Sequence, residues 1–383
     1  MAKKATAPIT KTAADVIKEL QKTELGQTIM TAKQASNPFH LRRPSGIMSL
    51  DVATGGGLPA GGLSQLSGPE GVGKNFLAYQ YMKRCQEIYG GDAAIAIACL
   101  EFPLDKEYAR KAGVQLAFAD DELEELVKDR QKLEIPELTK KDKKALQTQL
   151  GEFVVLQGDS SDVLNTTLDI IASNKFQLVV IDSWNPLLSP EDSGKNLGED
   201  KKVASEALLL THFMQLYHKI MCTRVDEKPN LTTTIGIRQV RANLNRRSMF
   251  QKPWATGGAY SMRHGLLVRI ELSPGGRIQP KASSTPIGKE INWSITKGKA
   301  GCHDGPKGSY NYLYDPPSIE AIPDLFQTAV EYGVITQSGA WRVYKDIKKY
   351  KNDFLEDLAA SEEFVKELQT EILTAAQLNV SYE

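Results

Sequence analysis

The sequence predicts an α/β protein with a mostly parallel central sheet, an N-terminal helix and linker, and a small C-terminal α/β domain. Two apolar runs that end beside an acidic residue, AAIAIACLE at residues 93–101 and QLVVIDS at 177–183, predict the sheet. Such runs are typical of buried parallel strands, whose carboxyl ends present functional groups. The runs LTTTIGIRQ (231–239) and HGLLVRIEL (264–272) extend it. A strand, GLSQLSG, leads through a glycine-rich loop into the helix FLAYQYMKRCQEIY and completes the α/β pattern.

The composition is that of an ordinary globular protein. The chain has 383 residues, of which 41% are hydrophobic and 25% charged, enough for one large core with an appended module or for two domains. Lysine plus arginine and aspartate plus glutamate number 47 each, so a polyanionic partner must be recognised by local basic clusters. The four cysteines form no C-x-x-C pair, which disfavours a zinc site or a disulfide framework and favours a reducing cytosol.

Membrane insertion and secretion are not predicted. No stretch approaches the ~18 apolar residues expected of a membrane-spanning helix. The N-terminus, MAKKATAPITK, is basic but lacks the apolar core of a signal peptide.

Three segments follow from the chain order. Residues 1–40 are predicted to form an amphipathic helix, AADVIKEL, and a polar linker, either as a flexible arm or as an arm that docks on a neighbouring subunit. Residues 41–317 form the core, with a charged insertion at about 119–150 that predicts a solvated helical hairpin. Residues 318–383, after two consecutive prolines, change to short helices and turns and form the small C-terminal domain.

The glycine-rich loop GPEGVGKN at residues 68–75 matches seven of the eight positions of the phosphate-binding pattern G-x-x-x-x-G-K-[ST]. Its backbone N–H groups are predicted to surround phosphate oxygens at the start of a helix. Lys74 would reach the β- and γ-phosphates of ATP. The predicted nucleotide-binding residues of the loop are Gly68, Pro69, Glu70, Gly71, Val72, Gly73, Lys74 and Asn75.

The eighth loop position normally carries a hydroxyl that holds Mg²⁺, but here it is Asn75. An amide oxygen can still bind the metal with a different geometry, so we expect weaker metal binding and slower turnover with nucleotide binding retained. Asp182, at the end of an apolar strand, is predicted to orient Mg²⁺ and its waters, although such an aspartate can also be only a helix cap. Glu101 ends the neighbouring strand and is predicted to polarise the attacking water, with a structural role as the alternative.

Several ordered segments resemble the bacterial RecA recombinases. The string GIMSLDVATGGGLPAGGLSQLSGPEGVGKN resembles the opening of the RecA core. Five further segments follow in family order: EFPLDKEYARKAGV, IDSWNPLLSPED, IRQVR, TGGAYSMR and TKGKAG. LFQTAVEYGVITQSGAWRVYKD is similar to the start of the RecA C-terminal domain, and TELGQTIMTA to the linker that reaches the next protomer. The divergence favours a distant, phage-encoded member, which implies the cytoplasm of a bacterial or phage-infected cell.

The resemblance implies roles for residues in the RecA-like core. Glu101 takes the place of the catalytic glutamate that activates water. Tyr108 takes the place of a ring that stacks on adenine, where a half-buried helix tyrosine is the alternative, and Asp105 would lie at the base edge.

Three more residues acquire roles only through the resemblance. Gln239 takes the place of the residue that senses the γ-phosphate and relays it to the DNA loops. Lys297 and Lys299 match a lysine pair that crosses the subunit interface to touch the neighbour's ATP. Cation contacts of this kind act as an arginine finger does, and they imply a filament whose assembly depends on ATP.

Two segments occupy the places of the family's DNA loops. In the second, VRANLNRRSMFQKPW, basic side chains alternate with apolar ones that can stack on bases. For both, a surface loop with incidental charges is the alternative. The predicted DNA-binding residues are Lys195, Lys201 and Lys202 in the first loop and Arg241, Arg246, Arg247, Met249, Phe250, Lys252 and Trp254 in the second.

Three departures from the family pattern accompany Asn75: Arg263 replaces a phenylalanine, and Gly236 and Arg238 alter the strand before Gln239. We therefore expect the relay from ATP to DNA to be weaker or differently tuned. The resemblance implies an ATP- and Mg²⁺-dependent recombinase that binds single-stranded DNA, pairs it with a homologous duplex and exchanges strands. The alternatives are an ATP-clamped, non-hydrolysing filament that coats DNA and, less favoured, a hexameric helicase.

Overall fold

The computed structural model describes residues 12–23, 38–185, 187, 205–225, 228–242, 254–255, 260–280, 284–378 and 380. The chain divides into two compact units, Met1–Asn37 and Pro38–Glu383. In the first unit, helix α1 (Ala13–Leu20) begins with a capping box in which Thr12 and Asp15 bond each other's backbone N–H. Val16, Ile17 and Leu20 are exposed on it.

A nine-stranded sheet organises the described part of the second unit. Its strands are β3 (Gly62–Gly68), β4 (Ala94–Cys99), β5 (Glu152–Leu156), β6 (Leu178–Asp182), β7 (Thr233–Gln239), β10 (Val268–Ile278), β11 (Gly288–Lys297), β12 (Lys307–Tyr314) and β13 (Pro317–Ile319). Its parallel half has the order β10-β3-β7-β6-β4-β5, and β11, β12 and β13 continue it antiparallel beyond β10. The predicted α/β class with a mostly parallel central sheet is therefore confirmed. Two separate pairs of short strands are β1 (Arg42–Arg43) with β2 (Leu58–Pro59) and β8 (Arg241–Ala242) with β9 (Trp254–Ala255).

Helices cover both faces of this sheet. Those that pack on it are α3 (Lys74–Tyr89) on one face and α7 (Ser160–Ala172) and α8 (Ser205–Cys222) on the other. The same part of the chain also contains α2 (Met48–Ala53), α4 (Lys106–Lys111), α5 (Asp120–Lys132), α6 (Lys140–Gln147) and α9 (Tyr260–Gly265). The prediction of a strand over residues 264–272 was wrong at its start, because His264 and Gly265 end α9 and the strand begins at Val268. None of the helices in the described ranges is both long and apolar enough to cross a membrane.

The sheet separates two apolar clusters. On one side, Phe76 and Leu77 of α3 pack with Ile95 and Ile235 of the strands. On the other, Phe213 of α8 packs with α7 and with Trp184, which is fully buried. Burial of a large apolar side chain stabilises the fold by ~1.5–3 kcal/mol. Strands with apolar residues on both faces therefore lie between the two clusters.

The charged insertion is anchored to the nucleotide-binding half of the sheet. Arg110 of α4 donates to Glu122 of α5 at 2.7 Å, and its guanidinium lies 3.7 Å from the centroid of the Phe118 ring. Gln86 of α3 donates to the carbonyls of Gln115 (2.8 Å) and Leu150 (3.3 Å). Most side chains of α5 and α6 are otherwise exposed, and the insertion is therefore held at its base.

The C-terminal segment forms its own apolar cluster. A meander of β14 (Thr336–Ser338), β15 (Trp341–Tyr344) and β16 (Ile347–Tyr350) accompanies α10 (Ala321–Glu331), α11 (Lys351–Ala360) and α12 (Glu362–Ala375). Phe326 and Phe354 lie at its centre and pack with Met48 and Val52 of α2. Asp324 accepts a hydrogen bond from the N–H of Ser49 at the start of α2. Helix α2 is thus shared between this cluster and the sheet, and the predicted boundary near residue 317 stays a prediction.

Candidate nucleotide-binding site

The glycine-rich loop lies where strand–loop–helix order places it, between β3 and α3. Gly73 has φ +106°, and a Cβ added there would stand 2.9 Å from Cδ1 of Ile291 on β11. At Gly68 a Cβ would stand 2.6 Å from the carbonyl oxygen of Leu272. Both positions need glycine, because β10 and β11 lie so close to the loop that a Cβ atom would collide with them.

Lys74 is buried under the loop that precedes it. Its ammonium group donates to the carbonyls of Gly68 (3.1 Å) and Pro69 (2.7 Å). Burial lowers the pKa of Lys74, against the opposing influence of Asp182 and Glu101. The ammonium group therefore bonds neutral carbonyl oxygens. Anionic phosphate oxygens can take the place of these carbonyls and accept stronger, charge-assisted hydrogen bonds from it.

Asn75 and Asp182 are in direct contact. The side-chain amide of Asn75 donates to Oδ2 of Asp182 at 2.7 Å. Burial, together with the nearby Glu101 carboxylate, raises the pKa of Asp182 to about 6, although Lys74 and Asn75 act in the opposite direction. Carboxylate and amide oxygens are the ligand class that Mg²⁺ prefers, so this pair fits a magnesium ion at the head of α3.

Glu101 is held by two neighbours at the carboxyl edge of the sheet. Ser183 Oγ donates to Glu101 Oε2 at 2.8 Å, and Gln239 Nε2 donates to Oε1 at 3.1 Å. Asn185 in turn fixes the backbone of Gln239, accepting from its N–H at 3.0 Å and donating to its carbonyl at 3.2 Å. The two residues predicted to activate water and to sense the γ-phosphate are thus in contact. Sequence reasoning missed Ser183 and Asn185, although both stand within the segment IDSWN.

A pocket of about 530 Å³ extends from the loop to an aromatic end. There the hydroxyls of Tyr108 and Tyr312 are 2.9 Å apart, and the ring centroids of Phe76 and Tyr312 are 4.5 Å apart. Tyr79 approaches Tyr108 edge-on, and Tyr314 also lines the pocket. Aromatic faces of this kind suit a planar base. Of these aromatic residues, only Tyr108 was predicted from the sequence. The others lie on separate segments, and the sequence does not reveal that these segments meet in the folded protein.

Asp105 lines the same pocket and begins α4. Its Oδ1 accepts a hydrogen bond of 2.9 Å from the N–H of Tyr108. The carboxylate therefore caps α4 and positions Tyr108.

Lys289 is a further cation at this pocket that sequence reasoning missed. It lies on β11, lines the pocket beside the loop, and donates to the carbonyl of Gly71. Its ammonium group is 5.8 Å from the centroid of the Tyr312 ring.

The predicted interface lysines do not line this pocket. Lys297 donates to the carbonyl of His264, at the end of α9, at 3.1 Å. Burial lowers the pKa of Lys297 to about 8, and the charges of Lys299 and Arg269 act in the same direction. Lys297 ends β11 and Lys299 follows it, whereas Lys289 lies near the start of the strand.

Most of the predicted DNA-binding residues lie outside the described residues: Lys195, Lys201, Lys202, Arg246, Arg247, Met249, Phe250 and Lys252. The second loop leaves the sheet through a short ribbon in which β8 pairs antiparallel with β9, Arg241 opposite Ala255 and Ala242 opposite Trp254. Val240, the first residue of the second loop, donates its N–H to the carbonyl of Gly68 at 3.1 Å. The same carbonyl oxygen also accepts a hydrogen bond from Lys74, so Lys74 and the first residue of the second loop bond one oxygen of the phosphate-binding loop.

Gly236, a departure from the family pattern, has a local steric cause. A Cβ at this position would stand 1.8 Å from Nε1 of Trp184. The indole therefore packs directly against the backbone of β7, two residues before Arg238 and three before Gln239.

Comparisons with known proteins agree with the resemblance seen in the sequence. The family model described as the RecA N-terminal domain matches residues 11–139. The chain is 29% identical over 304 residues to Protein RecA of Oleidesulfovibrio alaskensis, covering 79% of this chain and 72% of that protein. It is 27% identical over 338 residues to Protein RecA of Thermus thermophilus, covering 87% and 85%. With Protein RecA of Ruminococcus albus the identity is 25% over 344 residues, covering 87% and 74%.

Proposed function

We propose that the chain is a distant member of the RecA family and acts as an ATP-dependent DNA recombination protein that exchanges strands. The observation that carries the proposal is the contact between Gln239 and Glu101 at the edge of the pocket. Because the second predicted DNA loop begins at the next residue, a change in the position of Gln239 reaches that loop directly. The proposal places the protein in the cytoplasm of a bacterial or phage-infected cell.

The described residues support ATP hydrolysis at this pocket. The loop amides and Lys74 would hold the phosphates, while the aromatic end takes the base. Glu101, held by Ser183, would orient water and accept its proton. Magnesium, held by Asp182 and Asn75, would neutralise charge on the phosphate oxygens.

Assembly completes this site in the proposal. Lys297 and Lys299 of one protomer would contact the ATP of the next, so ATP joins protomers into a helical filament. The basic loops would bind single-stranded DNA inside it and then admit a homologous duplex, with base pairing selecting the partner. Single-strand binding should weaken with salt, log K falling by ~0.7 per log unit of salt for each phosphate contacted.

A second candidate function is an ATP-clamped filament that coats DNA without exchanging strands. The hydrogen bond between Asn75 and Asp182 favours it, because the bond ties the two residues expected to hold the metal to each other and leaves only Oδ1 of the Asn75 amide as a ligand. Slow or absent hydrolysis follows from that arrangement, while nucleotide binding through Lys74 is retained.

Strand exchange between a circular single strand and a homologous linear duplex tests the proposal. The wild type should produce joint molecules with ATP, and Lys74→Ala should not, while still binding DNA without ATP. Lys307→Ala, at an exposed position of β12 away from the pocket, is the matched control. Undiminished exchange by Lys74→Ala would refute the proposal. Filaments without joint molecules in the wild type would favour the clamped filament, and closed rings in electron micrographs would favour a helicase.

A further inference from the structure

We propose that Lys289 is a second nucleotide-binding lysine of the same protomer, which contacts the phosphate nearest the sugar of a bound nucleoside di- or triphosphate. The inference rests on the proposed nucleotide site and adds to it a second cation that contacts the loop at a different carbonyl from those of Lys74. Nothing in the sequence around Lys289 marks it as functional, since it lies in the strand segment GKEINWSITK.

The strand fixes Lys289 against the loop. Its neighbour two residues on, Ile291, lies under Gly73, where a Cβ would approach its Cδ1 to 2.9 Å. Lys289 itself donates to the carbonyl of Gly71. Because alternate residues of a strand share a face, β11 supports the loop with an apolar side chain at one point and a cation at the next. Pairing on both sides, with Arg277 of β10 and Tyr312 of β12, prevents the lysine from moving away along the sheet.

Lys289 and Lys74 make the same kind of contact. Each ammonium group donates to a carbonyl of the phosphate-binding loop, Lys74 to Gly68 and Pro69 and Lys289 to Gly71. A neutral carbonyl is a weaker partner for an ammonium group than an anionic phosphate oxygen. A phosphate chain in the loop should therefore attract both cations.

The position of Lys289 determines which phosphate of the nucleotide it would contact. It stands between Gly71 and the Tyr312 ring, which belongs to the aromatic end of the pocket. Gly71 is exposed, and a Cβ built on it would meet no atom within 4 Å, so the space above this part of the loop is open. Burial lowers the pKa of Lys289, and a phosphate group would compensate this loss of hydration. The phosphate nearest the sugar is the one that bridges these two regions.

Equilibrium binding of ADP and of adenosine, measured by calorimetry, tests the assignment. The variants are Lys289→Met, which keeps the apolar stem over Tyr312, Lys289→Arg, which keeps the charge, and Lys307→Met as the control lysine. We expect Lys289→Met to bind ADP about tenfold more weakly, equivalent to ~1.4 kcal/mol, with adenosine binding unchanged. Lys289→Arg should stay within about threefold of the wild type, because its charge is retained.

Three outcomes would overturn the inference. If Lys289→Met binds ADP as the wild type does, the lysine makes no phosphate contact. If it loses ADP and adenosine equally, Lys289 only shapes the aromatic end. If the wild type binds adenosine but gains nothing from the phosphates of ADP, the proposed nucleotide site fails together with the inference. Thermal unfolding of the variants without nucleotide separates these results from misfolding.

Discussion

The amide of Asn75 donates a 2.7 Å hydrogen bond to the carboxylate of Asp182, across 107 positions of sequence. The residue in the place of the metal-binding hydroxyl thus contacts the acid expected to share that metal. With Nδ2 facing Asp182, only Oδ1 of the amide is free to act as a ligand. The same contact supplies Asp182 with a partner in a buried setting that would otherwise raise its pKa further.

Replacing Asn75 with threonine should accelerate Mg²⁺-dependent ATP hydrolysis. A hydroxyl restores the usual ligand and frees Asp182, and we expect a rise of about tenfold in kcat, equivalent to ~1.4 kcal/mol in the barrier. Steady-state hydrolysis with and without single-stranded DNA measures it. Asn75→Ala, which removes both the bond and the ligand, should bind ATP without hydrolysing it. Equal, DNA-stimulated rates in wild type and Asn75→Thr would show that the amide suffices as a metal ligand.

Mixing two inactive variants should restore hydrolysis if the site is shared between protomers. Lys74→Ala lacks the loop lysine, and Lys297→Ala lacks the lysine proposed to act on the neighbour's ATP. A random equal mixture leaves about a quarter of the head-to-tail interfaces intact, so about a quarter of the wild-type rate is expected. The rate of each variant alone is the control. A mixture as inactive as its components would place Lys297 outside the neighbour's site.

Gly236→Ala should destabilise the protein through overpacking. The new methyl group would collide with the buried Trp184 indole, at a cost of about 1–3 kcal/mol. Urea denaturation measures the change in the free energy of unfolding. Gly91→Ala is the control, because a Cβ there meets no atom within 4 Å. In a Trp184→Phe background the cost of Gly236→Ala should shrink; an unchanged cost would mean that the indole is not the obstacle.

The buried Asp51 should make the fold less stable as the pH rises from about 4 to 7. Burial raises the pKa of Asp51 from 3.8 to about 6, although Ser45 and Gly46 donate hydrogen bonds to it. The folded protein therefore binds more protons than the unfolded chain in this range, and its stability falls as Asp51 ionises. Between pH 5 and pH 7 this contribution amounts to roughly 1 kcal/mol.

Asp51→Asn removes this titration and provides the comparison. The free energy of unfolding of the variant, measured in urea at pH 5 and pH 7, should lack that part of the decrease. Asp182, whose pKa is also raised to about 6, is common to both proteins and cancels. Identical pH dependence in the two proteins would exclude Asp51 as the titrating group.

Most of the parallel half of the sheet was predictable, because β4 and β6 are apolar runs and β3 leads into the glycine-rich loop. Strand β5 (Glu152–Leu156) was not predicted from the sequence. The run GLSQLSG coincides with β3, and the strands that end at Asp182 and Gln239 lie within their predicted ranges. Glu101 and Asp182 follow from those strand ends, since neighbouring parallel strands bring their carboxyl ends to one edge. The role of Gln239 was implied only by the resemblance to RecA.

The antiparallel half and its contribution to the pocket were not predictable in the same way. In β11 and β12, apolar residues alternate with polar ones and carry no motif, so Lys289, Tyr312 and Tyr314 had no local signal. Asn185 is likewise invisible in the sequence, because its role depends on the backbone of Gln239 folding beside it. Side chains that meet only through tertiary packing require the structure.

Strand β11 also has a mechanical consequence for the proposed filament. Lys289 near its start faces the protomer's own pocket, while Lys297 at its end is the residue proposed to reach the next one. Eight residues of extended chain separate them by roughly 26 Å. Because β10 pairs with the strand as far as Lys297 and β12 pairs with Gly288–Ser294, this length should be constant within the protomer. Any change of filament pitch would then come from rotation where protomers meet, while the spacing measured along β11 stays constant.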